Sequence, residues 1–335
     1  MKYLFQILLI AAIVVSAGEL RENSGIREVK VTSKFDQTAQ PAMIMAASGN
    51  DARPLLVALH TWSSSYKSDS SGFVRLCKER NWHLIHPNFR GPNWNPDACG
   101  SELVVSDIED AVDYMCRNFN VDCKRIYLFG GSGGGHCTLL IAGRRPDLFC
   151  AVSAWCPISD IARWHKDSKK LKNSYWKHIE ISCGGDPEES DNALKEARKR
   201  SPLTWLPNAV DKVAVDISTG IHDGHTGSVP VGHAIRAYNI LADEKDRISE
   251  EDIAFIEKNR AIPAHLKFLP GDPAYGKHKV YLRKVSRQVR LTIFEGGHNI
   301  LPAVGGEWLS RQSAGSSPDF NTGAAGDSRS LELSK

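Results

Sequence analysis

The sequence lacks the features of several protein classes. It has no CxxC pair and no internal repeat, and beyond the N-terminus no apolar run is long enough to span a membrane. Its 42 Lys and Arg residues nearly balance 39 Asp and Glu residues, which gives a formal net charge of +3. A charge this small does not favour binding to nucleic acid or to an anionic membrane. Without CxxC pairs, zinc-knuckle and thioredoxin-type chemistry have no support either.

Cysteine is present but sparse, with eight residues in the middle of the chain. This density is too low for a disulfide-based scaffold, and sequence spacing does not reveal pairing. We therefore expect buried cysteines that act as small apolar residues, together with up to one or two disulfide bridges.

The N-terminus carries a predicted secretory signal. A basic start is followed by an almost wholly apolar stretch over residues 3–15, and then by small residues up to position 17. This pattern predicts a signal peptide over residues 1–17 and a secreted or periplasmic protein without stable membrane insertion after cleavage. The apolar stretch is shorter than the roughly 20 residues of a spanning helix, although an uncleaved anchor stays open.

Short apolar runs alternate with helix-like patterns through most of the chain. Ser106-Asp-Ile-Glu109 is a capping box and predicts the start of one helix. Alternation of this kind predicts an α/β fold with a mostly parallel, doubly wound sheet. The predicted strands lie near residues 42–47, 54–60, 83–86, 125–129, 151–155, 213–217 and 289–294.

Two segments depart from the alternation. Residues 160–210 contain no clear strand and are rich in Lys, Arg, Trp and Asp, so we expect a small insertion, or cap, over the carboxyl ends of the strands. Residues 313–335 have few apolar groups and are expected to form a flexible tail. The predicted domain therefore spans residues 18–312.

A glycine-rich turn supplies the strongest chemical signal. Gly130-Gly-Ser132-Gly-Gly134 matches the G-x-S-x-G pattern, with a predicted strand before it and a predicted helix after it. A nucleophilic serine on such a strained turn needs neighbours without side chains. The alternatives are a phosphate-binding turn and a plain tight turn. No Walker lysine and no dinucleotide-binding glycine pattern accompany the turn, so we predict Ser132 to be a nucleophile.

A serine nucleophile needs a general base, and the base needs an orienting acid. His298 follows the last predicted strand on a turn loosened by Gly296 and Gly297, which makes it the candidate base. Asp223 lies on a loop after an earlier strand and is the candidate acid. Asp216 lies inside that strand and Glu295 adjoins the base, so both are less suitable.

The same loop has a competing interpretation as a metal site, formed by His222, Asp223 and His225. Three ligands within four residues seldom close a tetrahedral shell, so no metal is predicted there. The oxyanion of the reaction needs backbone N–H donors. We expect these to be the amides of Gly133, after the nucleophile, and Trp62, in the loop after an early strand.

The order of these motifs resembles that of the α/β-hydrolase superfamily, and their detail is similar to the prolyl-oligopeptidase-like branch and its esterase relatives. The resemblance covers about residues 40–312 and implies a Ser132, Asp223 and His298 triad, acyl-enzyme hydrolysis and no cofactor. It rests on Gly130–Gly135, on His60-Thr61-Trp62, on Asn88-Phe-Arg90-Gly91, on the loop 220–230 with its Val-Pro ending, and on Gly296-Gly297-His298.

The sequence departs from this branch in two places. The branch usually places its acid three residues before Val-Pro, which here is Thr226 rather than Asp223. The segment between the predicted cleavage site and the first predicted strand is also too short for the propeller of true oligopeptidases.

The missing propeller favours an esterase, with a small peptidase as the alternative and a catalytically inactive binding protein as a second one. Tryptophans near the predicted site, Trp62, Trp155 and Trp164 among them, suggest stacking on sugar rings and thus an ester on a small molecule or carbohydrate. Packing of these rings against the core stays open. The sequence does not indicate an oligomeric state.

Overall fold

One mixed sheet of nine strands crosses the computed structural model, which describes residues 25–266 and 271–321. The predicted signal peptide lies outside the described residues. The strands are β1 (Arg27–Thr32), β2 (Ala39–Met45), β3 (Arg53–Leu59), β4 (His83–Pro87), β5 (Val121–Gly131), β6 (Ala151–Trp155), β7 (Ala214–Gly220), β8 (Val280–Ser286) and β9 (Val289–Phe294).

The spatial order of the sheet is β1-β2-β4-β3-β5-β6-β7-β9-β8. The six strands from β4 to β9 in this order pair in parallel, whereas β1, β2 and β8 are joined to the sheet by antiparallel pairs. The predicted mostly parallel sheet is therefore confirmed, with antiparallel strands added at both edges.

Ten helices accompany the strands in the described part of the chain. They are α1 (Ser71–Arg80), α2 (Glu102–Asn118), α3 (Gly133–Arg144), α4 (Ile161–Lys170), α5 (Tyr175–Cys183), α6 (Asp191–Lys199), α7 (Pro202–Trp205), α8 (Gly232–Leu241), α9 (Glu250–Asn259) and α10 (Pro302–Leu309). No helix among the described residues is both long enough and apolar enough to span a membrane.

The sheet is covered on both faces because its central strands are apolar on both sides. In β3, Leu55, Val57 and Leu59 enter one core, which also contains residues of α2, α3, α8 and α9. Leu56 and Ala58 point to the opposite face and enter a second core with residues of α1 and α10. This arrangement is the predicted double winding.

Helix α2 begins five residues earlier than the capping box predicts. Ser101 is the N-cap, and its Oγ accepts a hydrogen bond from the Val104 N–H (3.3 Å). Ser106 lies inside the helix, where its Oγ donates to Asp110 (3.3 Å). Gly100, at φ +70°, ends the preceding turn and sets the helix start. The predicted start at Ser106 is therefore wrong.

The segment expected to form the cap is helical and contains α4 to α7. Ile161, Trp164 and Ile179 of this segment form a separate apolar cluster with Trp62 and Cys99 of the main domain. The cluster fixes the cap to the loop that follows β3.

The first part of the expected tail is packed on the domain. Phe320 stacks on Trp308 of α10 with ring centroids 6.1 Å apart. The buried Gln312 side chain donates to the Asp319 carbonyl (2.8 Å) and accepts the Asp319 N–H (3.0 Å). Residues 313–321 therefore differ from the expected flexible tail, while residues 322–335 lie outside the described part. All eight cysteines are unpaired.

Candidate active site

Ser132 lies on the sharp turn between β5 and α3. Its backbone has φ +58° and ψ −121°, a conformation that residues with side chains rarely adopt. The Ser132 N–H donates to the Trp155 carbonyl at the end of β6 (2.8 Å). A Cβ at position 130 would lie 2.2 Å from the Gly134 carbonyl oxygen, so the turn needs glycine there.

Asp223 and His298 are in direct contact. The His298 Nδ1–H donates to Asp223 Oδ2 at 2.7 Å, and the carboxylate is fully buried. Asp223 Oδ1 accepts two further hydrogen bonds, from the backbone N–H groups of Gly224 (3.0 Å) and Val229 (3.2 Å). Three donors thus hold the carboxylate and fix the face that it presents to the imidazole.

Sheet pairing brings the two loops of this contact together. Strands β7 and β9 are parallel neighbours, and Gly220 pairs with Phe294 at their carboxyl ends. The pairing continues into the loops, where the Ile221 N–H donates to the Phe294 carbonyl (2.9 Å) and the His222 N–H donates to the Gly296 carbonyl (2.9 Å). The acid and imidazole loops leave the sheet side by side.

His298 Nε2 is the ring nitrogen that faces away from Asp223. It is buried and makes no hydrogen bond to any described residue, Ser132 included. Because Nδ1 is bound to the carboxylate, Nε2 is the nitrogen that can accept a proton. Such contacts are often long without substrate and tighten when the reacting complex forms.

The two competing carboxylates have other partners. Asp216 is fully buried in the sheet, where it accepts hydrogen bonds from Arg290 Nε (2.8 Å) and Ser153 Oγ (2.8 Å). Glu295 accepts a hydrogen bond from His222 Nε2 (2.9 Å). Neither carboxylate contacts His298, so the structure gives the imidazole one acidic partner within the described residues.

The alternative metal site of the acid loop does not form. His222 Nε2 contacts Glu295, and His225 Nε2 contacts the Glu257 carbonyl (2.6 Å), so the two rings diverge from Asp223. A different set does converge, since donor atoms of Cys156, Asp223 and His298 lie within 4.8 Å of one another. These three groups could bind a soft cation.

Cys156 is a site neighbour that its sequence spacing does not reveal. It directly follows β6, has φ +46° and is fully buried beside Asp223. Burial raises the pKa of the Cys156 thiol well above its ordinary value, which keeps the group neutral. Its place after a strand at the carboxyl edge of the sheet is the one available signal.

The backbone amides of Trp62 and Gly133 adjoin each other. A Cβ at position 133 would lie 2.5 Å from both the N and the Cα of Trp62. Gly133 is the first residue of α3, where helix amides have no partner in the helix. Neither amide donates a hydrogen bond to another described group. The two amides therefore lie side by side next to Ser132 without a partner among the described residues.

Asn93 holds the Trp62 peptide in place and was not predicted. Its backbone N–H donates to the Trp62 carbonyl (2.8 Å), and its Nδ2 approaches the same oxygen (3.4 Å). The side chain is fully buried, with Oδ1 accepting the Cys99 N–H (2.9 Å). No sequence motif marks this asparagine.

The three tryptophans predicted to bind substrate are buried. Trp62 is 2% exposed, Trp155 0% and Trp164 1%. Trp155 stacks on Phe129 in the core, whereas Trp62 and Trp164 form an edge-to-face pair with centroids 4.7 Å apart. Their faces are covered by protein, which corrects the prediction that they stack on a ligand. Trp94 is 41% exposed.

A cavity of about 220 Å³ opens beside the elbow. Its lining includes Gly131 and Ile300, which are close in sequence to Ser132 and His298, together with His60, Phe73 and His86. Burial lowers the pKa of His86 to about 4 and lowers the pKa of His60 as well, so both imidazoles are neutral near pH 7. The cavity is thus partly polar but carries no cation from these rings.

The prolyl oligopeptidase family matches residues 100–253, which include the elbow and the Asp223 loop. The fold agrees with that of an acylaminoacyl peptidase from Pyrococcus horikoshii, with a TM-score of 0.60 over 89% of this chain and 43% of that chain, at 17% identity. The chain has the α/β-hydrolase fold and resembles the prolyl oligopeptidase family. The predicted fold and the predicted resemblance to this family are therefore confirmed.

Curated relatives of this α/β-hydrolase carry both peptidase and esterase names. Acylamino-acid-releasing enzyme 1 of Oryza sativa is 25% identical over 130 residues, which is 36% of this chain and 17% of the relative. A cutinase of Thermobifida alba is 25% identical over 154 residues, 46% of this chain and 45% of the relative. An acetylxylan esterase of Coprinopsis cinerea is 30% identical over 112 residues, 30% of each. The chain thus matches less than half the length of each relative.

Proposed function

We propose that this chain is a serine hydrolase that cleaves carboxylic esters through an acyl-enzyme. Ser132 is the nucleophile, His298 is the general base and acid, and Asp223 orients the imidazole. The amides of Trp62 and Gly133 form the oxyanion hole. One observation carries the proposal: His298 is bound at Nδ1 by a buried carboxylate and keeps Nε2 free, on the same sheet edge as a strained elbow serine.

The first half-reaction acylates the serine. His298 Nε2 removes the Ser132 hydroxyl proton while Oγ attacks the ester carbonyl carbon. Negative charge develops on the carbonyl oxygen, where the Trp62 and Gly133 amides donate hydrogen bonds. The positive dipole end of α3 adds to this stabilisation. The tetrahedral intermediate then collapses, and the imidazolium returns its proton to the leaving alcohol.

The second half-reaction frees the enzyme. Water loses a proton to His298 Nε2 and attacks the acyl carbon, which passes through a second oxyanion in the same hole. Ser132 Oγ then leaves and recovers the proton. Asp223 fixes the tautomer of His298 and stabilises the imidazolium in both half-reactions.

Ester substrates suit the space beside the elbow. The cavity of about 220 Å³ has room for a short acyl group, and Phe73 and Ile300 provide apolar contact. Several matched relatives are named as esterases or as a depolymerase of a polyester. A carbohydrate ester stays within the proposal, but its aromatic contact would come from the exposed Trp94 rather than from Trp62, Trp155 or Trp164.

A peptidase is the second candidate, and one feature favours it. Asp69 lines the same cavity and would attract a substrate with a cationic amine. The matched family and the similar folds also carry peptidase names.

Export to a secreted or periplasmic location is likewise proposed, from the N-terminal pattern alone.

A fluorophosphonate probe tests whether the serine is reactive. We expect the intact chain to be labelled at Ser132 near neutral pH and Ser132→Ala to be unlabelled, while Ser106→Ala, which alters a serine in α2, labels as the parent does. An unlabelled parent would instead support an inactive binding protein.

A substrate panel separates ester from amide chemistry. We expect hydrolysis of p-nitrophenyl acetate or acetylated xylan, and little hydrolysis of an alanine p-nitroanilide. Cleavage of the anilide alone would replace the esterase assignment with the peptidase one.

A further inference from the structure

A second cluster of titratable groups lies in the cap, away from the elbow. The His165 side chain on α4 is fully buried, with Glu180 of α5 on one side. Asp186 and Glu188, on the turn after α5, lie on the other side. The donor atoms of His165, Asp186 and Glu188 lie within 4.8 Å of one another. Neither the elbow nor the acid loop contributes to this cluster.

The contact of His165 with Glu180 fixes which ring nitrogen carries the proton in the neutral imidazole. Nε2 lies 3.0 Å from Glu180 Oε1, so in the neutral ring Nε2–H donates to that carboxylate. Nδ1 then carries the lone pair. It is buried and makes no hydrogen bond within the described residues. A lone pair aimed at two carboxylates is unfavourable unless a cation or a proton lies between them.

The spacing of the three donor atoms suits a small cation. His165 Nδ1 lies 3.4 Å from Glu188 Oε2 and 3.7 Å from Asp186 Oδ1. Tetrahedral zinc with ligands at about 2.0–2.1 Å would place neighbouring ligand atoms roughly 3.4 Å apart. The histidine of such a site commonly donates its other N–H to a carboxylate, as His165 does to Glu180.

Two lysines also approach the cluster but leave these donors accessible. Lys169 Nζ contacts the other Asp186 oxygen, Oδ2, at 2.5 Å and lies 3.9 Å from Glu188 Oε2. Lys166 Nζ lies 3.4 Å from Glu188 Oε1. The carboxylates of Glu180, Asp186 and Glu188 carry three negative charges, and the two lysines carry two positive charges, so one negative charge is left over. Asp186 Oδ1 already accepts the Glu188 N–H (2.7 Å), but a carboxylate oxygen has a second lone pair.

We propose that His165 Nδ1, Asp186 Oδ1 and Glu188 Oε2 bind a divalent transition ion of the zinc class, with Glu180 orienting the imidazole. An imidazole ligand favours Zn²⁺ over Ca²⁺, which prefers oxygen donors throughout. The ion would link α4 to the turn after α5, and Glu180 would connect α5 to the site through His165. This inference does not depend on the proposed function.

Zinc binding to the full chain tests the site directly. The protein is prepared without a histidine tag, treated with a chelator and titrated with Zn²⁺ by calorimetry, with thermal unfolding as a second measurement. We expect Asp186→Asn and Glu188→Gln each to lose one equivalent of Zn²⁺ relative to the parent, and Glu180→Gln to bind that equivalent about 10- to 100-fold more weakly. Saturating Zn²⁺ should raise the parent Tm by about 5 °C, whereas Ca²⁺ should not.

Glu189→Gln is the matched control, because Glu189 is exposed on the same turn and outside the donor set. It should bind the same number of equivalents as the parent. Counting the difference between variants separates the cap site from any ion at Cys156, Asp223 and His298. A parent that binds no zinc, or an unchanged stoichiometry in both ligand variants, would overturn the proposal.

Discussion

The Asp223 side chain makes several contacts that the proposed mechanism depends on. It accepts three hydrogen bonds, and one of them fixes the orientation of the His298 ring. The Asp223→Asn variant keeps the size of the side chain but removes the charge that stabilises the imidazolium. We expect turnover of p-nitrophenyl acetate to fall about 10⁴-fold, as in the serine-protease triad, with the fold preserved. Glu295→Gln, next to His298 in sequence but bound to His222, should change turnover little; an equal loss in both variants would contradict the assigned role.

Asn93 is predicted to act through the Trp62 peptide. Asn93→Ala removes the Nδ2 contact with the Trp62 carbonyl and the anchor at the Cys99 N–H. The Trp62 amide would then be held less firmly, so we expect kcat to fall by up to about 10²-fold with a smaller change in KM. Steady-state kinetics measure this split. Asn95→Ala in the same loop is the control, and a loss confined to KM would argue against the positioning role.

At the scale of single residues, a catalytic role could be predicted from sequence where the local backbone geometry requires particular neighbouring residues. Ser132 needs glycine neighbours, and Asp223 and His298 follow strands, so their sequence contexts mark them. Asn93 lacks such a mark and Cys156 has only its place directly after β6, because the contacts of both residues are made with segments distant in sequence. The burial of Trp155 has the same cause: its partners Phe129 and Phe294 come from other strands.

Helix α2 shows what decides an element boundary. Ser101 caps the helix although no Glu or Gln follows three residues later, whereas Ser106 has the capping-box pattern but lies in the second turn. Ser101→Ala should therefore lower the free energy of unfolding by about 1 kcal/mol. Ser106→Ala should lower it clearly less. Urea unfolding of both variants measures the difference, and the reverse order would contradict the observed cap.

Central strands could be predicted from sequence, whereas edge strands could not. The central strands are buried on both faces and therefore read as continuous apolar runs. In β1 the burial alternates between partly exposed and exposed positions, and Val31 alone is buried. Such a strand owes its conformation to pairing with β2 rather than to its own composition. The cap helices were missed for a similar reason, since their apolar residues serve a separate small cluster.

Across the whole molecule, buried neutral histidines make stability depend on pH. Burial lowers the pKa of His86 and of His136 to about 4, from an ordinary value of 6.5. At these two sites the unfolded chain binds more protons than the folded chain between these values, so we expect their contribution to the free energy of unfolding to fall as the pH drops from about 6.5 to about 4. Urea unfolding at several pH values checks this slope.

Replacing one of these histidines should weaken the slope. His136 Nε2 contacts the Arg200 carbonyl (2.7 Å), and His136→Gln keeps a side-chain donor without a titratable ring. We expect this variant to lose stability at pH 7 but to show a shallower decline between pH 6.5 and 4. His265→Gln is the control, because His265 is largely exposed. A slope unchanged by His136→Gln would show that other groups govern the acid response.

The pairing of β7 with β9 has a consequence for how this molecule could fail. Asp223 and His298 follow the adjacent strands β7 and β9 and are hydrogen-bonded to each other, whereas Ser132 follows β5, which is separated from β7 by β6. A mutation that disturbs the pairing of β6 with β7 would then displace Ser132 from His298 while the hydrogen bond between Asp223 and His298 stays intact. In such a variant the nuclear magnetic resonance signal of the His298 Nδ1 proton would be unchanged, although the enzyme would be inactive. In this fold an intact hydrogen bond between Asp223 and His298 is therefore not sufficient for catalysis.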